Sequence, residues 1–246
     1  MMSNRNEIVR SNDRSLTELR PISFEVGFTR WAEGSVLTRF GDTHVLCNVT
    51  IEPTLPPWLK NAVPPRGWLT AEYAMLPRST HSRSQREQRW PKGRTQEISR
   101  LIGRSLRAAL DLTLLGERTI TVDCDVLQAD GGTRTAAITG GWLAVALALR
   151  PLIAAGELPE AVLRRQIAAV SVGVVGGATL LDLDYDEDSH AAVDLNVVMT
   201  ASDEFVEVQG TSEGDPFGRA QLDALLNLAA AGIRKLQPLQ NQALNN

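Results

Sequence analysis

The chain is poor in the residues that most often announce a catalytic mechanism. Its 246 residues include two cysteines and three histidines. Cys47 and Cys124 each lie in an apolar, strand-like run. They read as buried free thiols in a reducing cytoplasm, and two isolated cysteines argue against a disulfide framework or a thiolate metal centre. His44 falls in a strand-like run, His81 in an arginine-rich stretch and His190 beside a group of acids. None has a serine or cysteine and a carboxylate at a spacing that proposes a triad. Long uninterrupted apolar runs are also missing, so no window spells a membrane span. Residues 1–20 are polar and charged, lack the apolar core of a secretion signal and are expected to form a loose arm. A net charge of −4 argues against an indiscriminate nucleic-acid binder.

The distribution of charge says more than the total. Between Arg78 and Arg107 lie Arg83, Arg86, Arg89, Lys92, Arg94, Arg100 and Arg104, opposed only by Glu87 and Glu97. Between Asp182 and Asp188 the balance flips to carboxylates with no base. A basic region and an acidic region in a nearly neutral chain point to a phosphate-rich ligand and a divalent cation.

The most informative stretch is Asp130-Gly131-Gly132-Thr133-Arg134-Thr135-Ala136. A buried strand is predicted before it, over Thr119–Val126, and a helix after it, over Ala136–Leu149. Strand, double glycine, hydroxyl, arginine and helix make the layout of an anion site. Glycines admit close backbone approach, and the first helical turn offers unpaired N–H groups at the positive end of the dipole. Arg134 adds a planar fork of donors suited to phosphate oxygens. The stretch is neither a Walker loop nor a dinucleotide fingerprint, because Gly-Lys-Ser/Thr and the three-glycine spacing are both absent. A plain turn before a helix is the competing reading.

The acidic segment opens like a calcium loop and then departs from it. Where that loop needs glycine and a final glutamate, the chain has Glu187 and Val193. The alternatives are a strand with an acidic solvent face, or a site where Asp188 and Asp194 converge on one cation. On a continuous strand those two would lie about 20 Å apart, so convergence requires Ser189–Ala192 to turn the chain back. Asp194 interrupts an apolar strand on the same face as Asn196. Two carboxylates with open water positions suit Mg²⁺ handling a phosphate.

The remaining pattern is two runs of strands, each ending in helices. Strands are expected at Ile22–Phe28, Ser35–Phe40, His44–Ile51 and Trp68–Met75, an exposed loop at Leu76–Arg94 and a helix at Thr95–Leu112. In the second half, hairpins are expected at Ile167–Val175 with Ala178–Leu183 and at Val193–Thr200 with Glu204–Gln209. A final helix is expected to start at Asp215-Pro216, with Asp215 as its cap. Duplicated strand-strand-helix halves without a linker predict an α+β fold in a single domain spanning 1–246.

Taken together, these residues resemble the bacterial ribonuclease PH family nearly end to end, from Leu19-Arg20-Pro21 to the helix after Pro216. The matching segments include Ala32–Leu37, Gly41-Asp42-Thr43, Thr70–Tyr73, Met75–Thr80, Gly93-Arg94-Thr95, Asp123–Ala136, Glu187-Asp188-Ser189 and Val206–Thr211. The resemblance implies the ribonuclease PH-like fold and a phosphate-dependent 3′-to-5′ exoribonuclease, a tRNA nucleotidyltransferase. Such an enzyme trims tRNA precursors and other RNA 3′ ends with inorganic phosphate and releases nucleoside diphosphates reversibly. It implies a phosphate site at Arg94, Gly132, Thr133 and Arg134, with Arg134 also catalytic. It implies catalytic, Mg²⁺- or Mn²⁺-binding aspartates at Asp188 and Asp194, and RNA contacts from Arg78, Arg83 and Arg86. A cytoplasmic homo-hexamer, a trimer of dimers, is implied as well, with no membrane partner. Two stretches depart from the family pattern, Gln88–Lys92 and Asn61–Arg66. A non-catalytic ring subunit and a small-molecule phosphate enzyme are the rivals. Retention of Arg94, Arg134, Asp188 and Asp194 argues against the first, and the large arginine loop against the second.

Overall fold

The computed structural model describes residue 10 and residues 13–86 and 93–245. The stretch Gln88–Lys92 therefore lies outside the described residues. Strand β1 (Ile22–Val26), β2 (Gly34–Phe40), β3 (Thr43–Glu52), β4 (Trp68–Met75) and β5 (Thr119–Gln128) form one sheet. Its order is β1-β2-β3-β5-β4, antiparallel except that β4 runs parallel to β5. Helix α1 (Gly93–Ala108) is the connection that parallel pairing requires. A second, antiparallel sheet takes the order β7-β6-β8-β9, from β6 (Ile167–Val175), β7 (Ala178–Leu181), β8 (Val193–Thr200) and β9 (Phe205–Ser212).

Helix α2 (Thr133–Ala154) explains how the sheets come together. It is apolar around its whole circumference, and such a helix must be buried on every side. It packs on β2 and β3 of the first sheet and on β6 of the second, and one continuous apolar core includes residues of both sheets. Arg134 and Arg150 interrupt its sequence, so a search for uninterrupted apolar runs misses it. By length and composition it could cross a membrane, yet 72% of its apolar window is buried inside the fold. Helix α4 (Arg219–Asn245) covers β6 with Leu225, Ala229 and Ile233 buried, one face at helical spacing.

Four expectations are corrected. The final helix begins at Arg219, not at Asp215-Pro216. The Ser212 hydroxyl donates to the Asp215 carbonyl and holds a turn there, while the Gly218 carbonyl accepts the first helical bond, from Leu222. Arg94 lies in the first turn of α1, not at the end of a loop. Helix α1 stops at Ala108 rather than running to Leu112, because Leu110 pairs with Leu163 and the Ala109 carbonyl accepts from Arg165.

The fourth correction concerns the arm. Where described, it is anchored by its arginines: Arg10, Arg14 and Arg20 are all buried, while Asp13 and Ser15–Glu18 are exposed. Arg10 pairs with Glu187, Arg14 with Asp184 and Glu187, and Arg20 with Asp182. Thus Asp182, Asp184 and Glu187 have their bases after all, brought from far away in sequence. The acidic segment is therefore not a strand with a solvated face, and of its acids Asp186 and Asp188 stay exposed.

Candidate active site

The anion turn forms as its residue types dictate. Gly131 and Gly132 both take left-handed backbone angles, φ 71° and 64°, a conformation costly for any residue with a Cβ. A Cβ on Gly131 would sit 2.6 Å from the Asp184 backbone carbon, so the turn lies directly against the second half of the chain. Gly132 is the N-cap of α2 and offers no side-chain cap. The first helical bond runs from the Ala136 N–H to the Gly132 carbonyl, 3.0 Å. The amides of Thr133, Arg134 and Thr135 consequently have no acceptor within the helix and stand at its positive end.

The acids reach the same place by a different route. Asp184 caps a one-turn helix, α3 (Tyr185–Ser189), through a reciprocal capping box with Glu187. The short helix turns the chain, as convergence of Asp188 and Asp194 requires, and β8 then carries Asp194 and Asn196 on one face. Arg94, Gly132, Thr133, Arg134, Asp188 and Asp194 all line one cavity of about 390 Å³. Every residue proposed from sequence for phosphate or metal is therefore in one wall set. Ser171, Tyr185, Asn196, Thr80 and Met75 also line the cavity, with Ala129 and Gly131.

Each charged group has a readable setting. The Arg134 Nη2 donates to Glu97 Oε2 at 2.9 Å, and the other oxygen of Glu97 accepts from the Gln209 amide at 2.9 Å. Burial works to raise the Glu97 pKa, but hydrogen bonds from Gln209 and Arg134 outweigh it and hold the carboxyl below its ordinary range. Loss of water raises the Asp188 pKa, and the charge of Asp194 pushes the same way; Arg134 and Arg94 oppose both. The Thr211 hydroxyl donates to Asp194. Tyr73 is buried, its pKa raised by that burial, and its hydroxyl lies 2.9 Å from the Thr133 hydroxyl. Among the described residues Arg94 has no ion-pair partner.

The basic loop leaves the cavity rim at Met75 and Thr80 and runs into solvent. Arg78, Arg83 and Arg86 are exposed; Arg78 donates to the His81 carbonyl at 2.8 Å. His190 is exposed at the end of α3, as expected, with its ring against Ser189 and the Asp186 carbonyl. Cys47 and Cys124 are buried, free and directly opposite one another on β3 and β5. Sequence patterns alone assign no role to Glu97, Gln209 and Tyr73. Glu97 carries a signal, as one of two acids within the basic run, whereas Gln209 and Tyr73 reach the site only through tertiary pairing.

Comparison with known proteins gives a consistent result. Domain 1 of the 3′ exoribonuclease family matches residues 18–151, and domain 2 matches residues 165–232. Ribonuclease PH of Moorella thermoacetica is 57% identical over 241 residues, covering 97% of this chain and 96% of that protein. Ribonuclease PH of a Cyanothece species is 57% identical over 235 residues, covering 96% and 98%. Among solved structures, rice Rrp46 superposes with a TM-score of 0.77 at 19% identity, covering 96% of this chain and all of that one. An archaeal exosome core chain gives a TM-score of 0.72 at 25% identity, covering 94% and 91%.

Proposed function

The chain belongs to the 3′ exoribonuclease family, in its ribonuclease PH branch, and from that membership and the cavity's geometry we infer how it works. It is a phosphate-dependent 3′ exoribonuclease with nucleotidyltransferase activity that acts on tRNA precursors. Inorganic phosphate is the co-substrate of its family. The observation that carries the site assignment is the convergence of two arginines, a helix N-terminus and two aspartates on one cavity.

In this reading phosphate is held by Arg94, Arg134, the Thr133 hydroxyl and the free amides of α2. Held there, a phosphate oxygen attacks the terminal phosphodiester phosphorus in line. A new P–O bond forms, the bond from that phosphorus to the preceding ribose 3′ oxygen breaks, the proton that the attacking hydrogen phosphate carried ends on that 3′ oxygen, and a nucleoside diphosphate leaves. Phosphate brings its own nucleophilic oxygen, so the protein's work is positioning and charge compensation rather than acid–base transfer. Because a phosphoanhydride replaces a phosphodiester, the reaction runs in both directions. Arg78, Arg83 and Arg86 contact the RNA backbone, and the two halves act as a single domain around α2. The ribonuclease PH relationship supports a cytoplasmic homo-hexamer, a trimer of dimers, which sedimentation of the purified protein checks.

The two aspartates fit a divalent cation. Desolvation first, and then the charge of Asp194, raise the Asp188 pKa, and a cation would relieve the repulsion between the two carboxylates. No cluster of three or more acidic, histidine or cysteine ligands occurs among the described residues, so water would complete the shell, as suits Mg²⁺ or Mn²⁺. Asp188 and Asp194 would hold the ion, and the chemistry it would supply there is charge neutralisation. Asp188→Asn and Asp194→Asn are each expected to lose activity while keeping the fold. Full wild-type activity in excess chelator would remove the metal from this account.

The decisive assay supplies an RNA with a free 3′ hydroxyl, with and without inorganic phosphate. Nucleoside diphosphates should appear only with phosphate. Release of monophosphates in its absence would make the enzyme a hydrolase instead.

A further inference from the structure

Arg20 precedes the first strand and lies outside the cavity lining, yet it touches both halves of the site. Its backbone N–H and Nε donate to Asp182 Oδ2 at 2.8 and 3.1 Å, and its Nη2 donates to Asp182 Oδ1 at 2.7 Å. Asp182 is fully buried and is one of three non-glycine residues described with a positive φ, 54°. The other side of the same guanidinium donates to the Asp130 and Gly131 carbonyls and, at 3.4 Å, to the Thr43 hydroxyl. Thr43, the first residue of β3, closes the frame. Its hydroxyl donates to the Gly131 carbonyl at 2.6 Å and accepts from the Asp130 N–H at 2.9 Å.

The glycine turn is thus held on both sides. A Cβ on Gly132 would lie 2.9 Å from Arg20 Nη2, and a Cβ on Gly131 would meet the backbone of Leu183 and Asp184. On the far side, the Asp182 N–H donates to the Ser171 carbonyl at 2.7 Å, and the Leu183 N–H to the Ser171 hydroxyl at 3.1 Å. Ser171 itself lines the cavity. Two flexible glycines in left-handed geometry do not fix a helix N-terminus by themselves, since glycine loses the most freedom on ordering. Preorganised donors act only where their positions are set before the ligand arrives.

We propose that Arg20, Asp182 and Thr43 form a brace of positioning residues that sets the Asp130–Gly132 turn and so determines phosphate affinity. The inference rests on the reading of Gly132–Arg134 as the phosphate site. The brace joins the two halves matched by separate family domains, because Thr43 and the turn lie in the first and Asp182 in the second. Arg20 is a positioning residue and not a phosphate ligand, since its guanidinium is committed to Asp182 and the turn carbonyls.

Thr43→Val tests this with least disturbance, because it removes the hydroxyl and keeps the shape; Thr43→Ser restores the hydroxyl. Phosphate KM and kcat are measured on a short RNA, together with the Kd of a tRNA precursor in the absence of phosphate. Thr43→Val should raise phosphate KM about tenfold, the worth of one hydrogen bond or slightly more, with precursor Kd unchanged and Thr43→Ser near wild type. A merely structural role would lower the melting temperature and the active fraction and leave KM in place. Unchanged KM in folded Thr43→Val, equal effects of Val and Ser, or equal weakening of RNA binding each overturns the brace. If Thr43→Val does not fold, Arg20→Lys, which keeps the charge and loses the fork, takes its place under the same KM criterion. Arg134→Ala in the same assay separates the two claims. If it leaves phosphate binding untouched, the phosphate-site reading fails; if only the brace variants leave it untouched, the brace alone fails.

Discussion

At the scale of single residues, the site is a set of donors whose positions other side chains fix. Arg134 is the clearest case. Its Nη2 is held by Glu97, and the residue lines the cavity. Arg134→Ala should therefore abolish phosphorolysis and leave RNA affinity nearly intact, because the proposed role is to hold the nucleophile and not the polymer. Loss of one preorganised donor is worth about a hundredfold or more in rate. Phosphate-dependent diphosphate release and tRNA affinity measured on one preparation decide it; near-normal turnover at saturating phosphate would reject the role. Glu97 gives a pH signature of the same contact. Its folded pKa is depressed, so its ion pair adds stability that is complete above the unfolded value of about 4.3 and is lost as pH falls through the lower folded value. The melting temperature of wild type should exceed that of Glu97→Gln at neutral pH, and the gap should close under acid. A gap that stayed constant from neutral to strongly acidic pH would show that the carboxylate charge contributes nothing.

At the scale of elements, strands and helices follow from hydrophobic period, while their ends and their neighbours do not. The bounds of β4, β6 and β8 agree with the alternating or apolar runs that predict them. The start of α4 departs from the sequence pattern because Ser212, three residues before Asp215, holds a turn there, and the end of α1 departs from it because a distant partner, Leu163 for Leu110, competes with the local signals. The acidic segment departs from it for the same reason, since its arginines lie more than 160 residues upstream. Asp194 is legible because a carboxylate inside an apolar strand must have a reason. The packing of α2 also escapes the sequence. Gly140 lies so close to β2 that an added Cβ would fall 1.9 Å from the Thr38 hydroxyl oxygen. Gly140→Ala would improve helix propensity in isolation, yet here overpacking should win. Unfolding in urea should show a destabilisation of about 1–3 kcal/mol. A stabilised variant would mean that α2 and β2 separate at little cost.

At the scale of the whole molecule, the question is how a chain of net charge −4 grips a polyanion. The acids of the 182–188 segment are largely sequestered. Asp182, Asp184 and Glu187 are buried against Arg20, Arg14 and Arg10, so their charge is compensated inside the fold. The exposed arginines of the loop, by contrast, begin at the cavity rim and project away from it. Arg83 and Arg86 have no ion-pair partner among the described residues. This arrangement concentrates positive potential where an RNA would enter, whatever the net charge. A single phosphate ion requires no such excess, so the loop's work should lie upstream of the reacting end. Neutralising Arg78, Arg83 and Arg86 together should weaken a structured tRNA precursor far more than a short oligonucleotide. For every arginine–phosphate pairing removed, the log–log salt slope of binding should also fall by roughly one unit. Both substrates are compared across a salt series with the cavity residues intact. Equal weakening of both would confine the loop to the terminal nucleotides. Unchanged affinity and unchanged slope would remove it from RNA binding altogether and leave these arginines to solubility or subunit association.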